Sequence, residues 1–123
     1  MNRIFYVFLG GGAGSVARYA VTIAAARLIS PEFPFGTLIV NLVGCFLIGF
    51  VHSVAMVSAR LSPEARLFLT TGVLGGFTTY SAFNYETLTL IEQGQPGRAA
   101  GYTAAMVAGC AGAGATTRLA SIV

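Results

Sequence analysis

Thr70-Thr71-Gly72-Val73-Leu74-Gly75-Gly76-Phe77-Thr78-Thr79-Tyr80-Ser81-Ala82-Phe83-Asn84-Tyr85-Glu86 is the stretch on which the architecture turns. From Leu67 to Tyr85 no residue is charged, which suits a segment crossing hydrocarbon. Yet a glycine pair stands in its middle, and Thr78, Thr79, Ser81 and Asn84 follow. Each glycine disfavours a helix interior by ~1 kcal/mol relative to alanine, so the spacing predicts a helix interrupted at Gly75-Gly76. A break facing lipid leaves backbone groups without partners and does not persist. It must be buried in protein or line an aqueous site, where unwound carbonyls suit a hard cation such as Na+. The same residues also admit an unbroken helix whose glycines serve packing.

Outward from this stretch, charge and breakers divide the chain into spans. A helix needs about 20 mainly apolar residues to cross ~30 Å of hydrocarbon. Phe33 to Ala59 carries no charge apart from a neutral His52, and Ala99 to Thr117 carries none. Ile4 to Leu28 is interrupted only by Arg18 and Arg27. Ser30-Pro31-Glu32-Phe33-Pro34, Ser58 to Glu64, and Glu92-Gln93-Gly94-Gln95-Pro96-Gly97-Arg98 are the links, with Pro and Gly marking helix ends. The expectation is an all-α membrane protein of one domain, with four transmembrane helices over about 4–28, 35–58, 65–91 and 98–121 and the third broken mid-membrane.

Composition agrees. Charged residues make up 9% of the 123 and apolar residues 55%, against about a quarter charged in a soluble domain. The seven basic residues are all arginine and are scattered, so no basic run tracks a phosphate backbone and nucleic acid is not an expected partner. Arg3 and Ile4–Ala17 resemble the start of a signal peptide, but Arg18 falls inside the would-be apolar region. With four spans, Arg3, Arg60, Arg66 and Arg118 share one side of the membrane and Arg27 and Arg98 the other. This bias favours termini in the cytoplasm only slightly, and so permits insertion both ways and an antiparallel homodimer. Small residues four apart (Gly10/Gly14, Gly72/Gly76, Gly97/Gly101, then Ala105 and Gly109) allow close helix approach, either between subunits or within one.

Candidate binding residues cluster in two places. Thr37 and Asn41 are four apart on one face of the second span. An embedded Asn amide offers two N–H donors to an anion that must shed water, although such a residue also serves as a helix–helix hydrogen bond. Tyr80 and Phe83 are three apart; ring edges are electropositive and can contact a small anion, or the rings can simply pack.

Three of these segments, Gly10-Gly-Gly-Ala-Gly-Ser-Val-Ala-Arg18-Tyr19, Phe35-Gly-Thr-Leu-Ile-Val-Asn41-Leu-Val-Gly44 and Gly75-Gly-Phe-Thr-Thr-Tyr-Ser-Ala-Phe83-Asn-Tyr-Glu86, resemble in order the signatures of the Fluc/CrcB fluoride channels. The resemblance implies a passive, selective fluoride channel of the bacterial inner membrane. It would be multi-pass, export fluoride from the cytoplasm, and protect against fluoride toxicity. It further implies an antiparallel dual-topology homodimer with two pores and a central structural Na+. Carried onto this chain, backbone carbonyls of Gly75 and Thr78 would hold Na+. Asn41, Tyr80, Phe83, Ser81, Thr37 and Tyr102 would line the fluoride path, with Arg18 and Glu86 as vestibule or near-path charges. Tyr80 stands where the pattern has Phe, Ala82 where Thr is common, and Met106 and Cys110 where hydroxyls would continue a polar track beyond Tyr102.

The remaining residues read plainly. Cys45 and Cys110 fall within spans as small fillers, with no metal-ligand spacing. No nucleophile–base pair suggests an enzyme. The rival class is a small proton-coupled multidrug exporter of dual topology, which needs an acid in its membrane core. The first 29 residues and 33–63 carry no Asp or Glu, there is no Trp to stack on a cationic drug, and Glu86 is the one candidate.

Overall fold

The computed structural model describes the backbone of residues 2–58 and 60–122, and their side chains except at 57, 58 and 120–122. Among the described residues all regular structure is helical. Helix α1 spans Arg3–Leu28 and starts where Asn2 Oδ1 accepts the Ile4 N–H at 3.0 Å. It stops before Pro31, and α2, Phe35–Ser58, begins directly after Pro34. Helix α3, Pro63–Leu67, has Ser62 as its cap (3.1 Å to the Ala65 N–H), proline in its first turn and Glu64 complementing the helix dipole. A π-helical stretch, Phe68–Leu74, carries it into α4, Gly75–Phe77. Thr78 and Thr79 are extended, and α5 then runs Tyr80–Glu92. Its end is a Schellman turn: Gln95 N–H bonds Leu90 O at 2.9 Å, Gly94 N–H bonds Ile91 O at 3.0 Å, and Gly94 takes the left-handed φ of 74°. Helix α6, Pro96–Ile122, follows.

The sequence places the interruption at Gly75-Gly76, whereas the helix parts at Thr78–Thr79, three residues on. The glycines remain helical because they are used for packing. A Cβ on Gly76 would meet the Gly11 carbonyl oxygen, and one on Gly14 would meet the Val73 carbonyl oxygen. Gly10 and Gly72 face each other as closely: a Cβ on either would lie 2.9–3.0 Å from the other's Cα. Thus Gly10, Gly14, Gly72 and Gly76 bring α1 against the π stretch and α4 within one chain. Gly97 and Gly101, by contrast, meet nothing in this chain.

Helices α2 and α6 form the other main pair. Gly49 accommodates Thr117 and Gly114, Gly109 accommodates Leu42, and Ser53 Oγ donates to Thr117 O at 3.4 Å. The compact core lies at one end of this pair: Phe83, Leu90, Ala99, Tyr102 and Met106, with Phe33, Leu38 and Cys110 against it. Elsewhere the outside is apolar, with Phe8, Val16, Leu28, Met56, Val107 and Leu119 all more than 60% exposed. Two of the helices are long and apolar enough to cross a membrane, Arg3–Leu28 and Phe35–Met56.

The two kinds of glycine make opposite responses to a methyl group. Gly76→Ala should lower stability by about 1–3 kcal/mol through overpacking, less what it gains in helix propensity. Gly12→Ala, with nothing within 4 Å of its Cβ, should be neutral or stabilising by up to ~1 kcal/mol. Helical circular dichroism during heating in detergent reads both; the reverse order would show that α1 does not rest on Gly76.

Candidate functional site

The parted helix is held open by one side chain. Asn41, 8% exposed on α2, places its amide flat against the Thr79 peptide. Its Oδ1 accepts the Thr79 N–H at 2.9 Å, and its Nδ2 donates to Thr79 O at 2.9 Å. Nδ2 also lies 3.2 Å from Met106 Sδ, so both amide hydrogens have acceptors. Thr79 then starts α5: its Oγ1 accepts the Ala82 N–H at 3.2 Å. A threonine just before a helical run is a recognisable cap, and Thr79 is the residue of this site that the sequence reading passed over.

These bonds divert two donors. In a continuous helix the Thr79 N–H would bond Gly75 O and the Ala82 N–H would bond Thr78 O. Here the first goes to Asn41 and the second to the Thr79 hydroxyl, so the carbonyls of Gly75 and Thr78 lose their helical donors. Gly76 O is covered from α1, where Arg18 Nε donates at 3.1 Å. Thr78 turns its own hydroxyl back to Leu74 O at 2.9 Å.

Beside the break is an open groove of about 590 Å³ between α2, α6 and the parted helix, with Asn41, Gly75, Thr78, Tyr80 and Phe83 on its walls. A second cavity of about 280 Å³ lies by the α1–α2 link, with Thr37, Glu86, Phe33 and Tyr85 on its walls. There Glu86 receives two hydroxyls, Thr37 Oγ1 on Oε1 at 2.7 Å and Tyr102 OH on Oε2 at 2.9 Å. Tyr102 is wholly buried and Thr37 is 4% exposed. A row of rings joins the two cavities. Tyr80 meets Phe83 edge-on at 5.6 Å, Phe83 meets Tyr102 at 5.3 Å, and Tyr102 meets Phe33 at 5.4 Å.

Of the residues singled out from sequence, Asn41, Tyr80, Phe83, Gly75 and Thr78 share the groove, and Thr37 and Glu86 share the smaller cavity. Tyr102 lies between them. Arg18 and Ser81 line neither: Arg18 supports the far side of α4, and Ser81 is exposed with its Oγ 3.3 Å from Thr79 Oγ1. Phe33, fourth in the row of rings, carried no sequence signal beyond its place between two prolines. The unexpected Met106 is 5% exposed and occupies the second Asn41 hydrogen with a weak acceptor. The arrangement offers hydroxyls, an amide and ring edges along an apolar wall, which is chemistry for a small anion stripped of water.

Residues 5–118 match the family described as CrcB-like protein, Camphor Resistance (CrcB). A protein of Anaeromyxobacter sp. (strain K) named fluoride-specific ion channel FluC is 51% identical over 110 residues, 89% of this chain and 87% of its own length. Proteins of the same name from Granulibacter bethesdensis and Chlorobaculum tepidum are each 50% identical, over 87% and 89% of this chain and 84% and 86% of their own lengths.

Asn41→Ala strands the Thr79 N–H and C=O. Each buried group left unpaired costs ~1–3 kcal/mol, so the variant should unfold at markedly lower temperature and its Thr79 amide should exchange at least tenfold faster. Asn41→Asp keeps the acceptor but loses the donor and should fall between. Unchanged exchange at Thr79 in Asn41→Ala would mean that Asn41 does not hold the break.

Proposed function

This chain belongs to the CrcB family, and on that premise we propose that it conducts fluoride passively across a membrane, as the name of its relatives states for them. The observation that carries the reading is the row of ring edges and hydroxyls from Tyr80 through Phe83 and Tyr102 to Thr37 and Glu86. Fluoride is small and strongly hydrated, so a conducting path must replace water with donors that hold it only weakly. Ring edges supply positive potential without a fixed charge. The Thr37 and Tyr102 hydroxyls can turn from Glu86 toward a passing anion, and Asn41 Nδ2 can release Met106 Sδ for one.

The fuller architecture belongs to the same proposal: four membrane-spanning helices, the third parted within the bilayer, inserted in the bacterial inner membrane in both orientations as an antiparallel homodimer. The groove that holds Asn41, Tyr80 and Phe83 is open along one side, so a second copy would close it and give each dimer two paths. The glycines at 97 and 101, free within the chain, are available for lipid or that partner. Na+ fits the break. Gly75 and Thr78 present carbonyls whose helical donors are taken elsewhere, and backbone oxygen is the donor that a hard monovalent cation prefers. Na+ would neutralise these dipoles and tie two subunits together as a structural ion. Glu86 accepts bonds on both oxygens from Thr37 and Tyr102, which supports a role as a hydroxyl-orienting group over that of an exporter's proton carrier.

Fluoride loaded into proteoliposomes should leave in a burst, recorded by a fluoride electrode, when a potassium ionophore balances charge. It should never accumulate against its own gradient when a Na+ gradient is imposed. Uphill accumulation would make the protein a symporter, and the absence of any burst would remove the channel reading.

Topology has a separate check. A cysteine placed in the Gln93–Gln95 loop should react with an impermeant reagent in part from each side of the membrane. Reaction from one side alone in active protein would exclude insertion in both orientations.

A further inference from the structure

Three sulfur atoms meet on the wall of the larger groove. Met106 and Cys110 stand four apart on α6, and Cys110 Sγ lies 4.0 Å from Met106 Sδ. Cys45 comes from α2, which packs along α6, and its thiol is a hydrogen-bond partner of Cys110. All three side chains line the groove of about 590 Å³, so they are open to what enters it. Both cysteines are free thiols of intermediate burial.

Sulfur donors choose their ion. Thiolate and thioether favour soft ions such as Cu(I), while Na+ and Mg2+ favour oxygen. The spacing is suitable as well: an ion bound by three sulfurs at about 2.3 Å in a plane holds them about 4.0 Å apart, the separation already present between Cys110 and Met106. We propose that Cys45, Cys110 and Met106 form a three-sulfur site for a thiophilic monovalent cation of the Cu(I) class.

Binding is a ligand exchange without redox change. Each thiol that coordinates as thiolate gives its proton to water, and the ion sheds its water. Met106 must turn its Sδ from Asn41 Nδ2, from which it lies 3.2 Å away, so an occupied site alters the amide that clasps the parted helix. The ion itself stands in the groove that Tyr80 and Phe83 line. Occupancy therefore closes the fluoride path, a consequence that rests on the channel reading, whereas the site itself does not.

The probe is Ag+, added as nitrate in chloride-free buffer to phosphine-reduced protein in detergent. One equivalent per chain should slow maleimide labelling of both thiols at least tenfold. Cys45→Ser should restore fast labelling of Cys110, and Met106→Leu, which keeps both thiols, should weaken Ag+ binding at least tenfold. Full protection of Cys110 in Cys45→Ser, or unchanged affinity in Met106→Leu, overturns the site. In proteoliposomes Ag+ should cut fluoride efflux at least tenfold relative to the same protein without Ag+, with recovery on adding excess dithiol. Equal inhibition of the Cys45→Ser, Cys110→Ser double variant would overturn the closure. Labelling needs no fluoride flux, so it decides the site even where the channel reading fails.

Discussion

One peptide unit carries the architecture. Between Phe77 and Tyr80 the chain leaves the helix, and the Thr79 N–H and C=O must find partners among apolar neighbours. A primary amide is the one neutral side chain that presents a donor and an acceptor at the spacing of a peptide edge, and Asn41 supplies it. Because one residue answers both groups, the break cannot shift along the helix without losing both bonds. That fixes which carbonyls are released, where the groove opens and where Tyr80 begins α5.

The support is two-sided. From α2 comes the amide; from α1 come the close glycine contacts and the Arg18 guanidinium on Gly76 O. The longest part of the third segment is thus clamped against α1, while α5 swings to the Phe83–Tyr102 core beside α6. Two short helices with a kink between them would be poor structures alone, since helices under about 12 residues are marginal. Here each half has its own packing partner.

How much of this could be read beforehand divides by mechanism. Helix ends were legible because Pro31, Pro34, Pro63, Gly94 and Pro96 act locally through dihedral limits and missing donors. That the third segment parts was legible too, but its place was not. Propensity pointed to Gly75-Gly76, and tertiary contact overrode it, since what a glycine does depends on whether another backbone lies against it. Thr37, Asn41 and Glu86 could be named as candidates from residue type. That Asn41 would spend its amide on Thr79, or that Thr37 and Tyr102 would meet on one carboxylate, depends on pairs 38, 49 and 16 residues apart. No local pattern encodes such distances. Phe33 entered the row of rings for the same reason.

The π-helical stretch Phe68–Leu74 has a consequence for chain length. A π turn holds one residue more than the α turn it replaces, so deleting one residue there would let the backbone relax to an ordinary helix. Everything downstream would then rotate by about 100°. Gly76 would leave α1, and Thr79 would leave Asn41. Residues 68–79 therefore form a ruler whose length is as constrained as its composition. The turn at Gln93–Gln95, which no other element reads, is where this chain can grow or shorten without consequence for the groove.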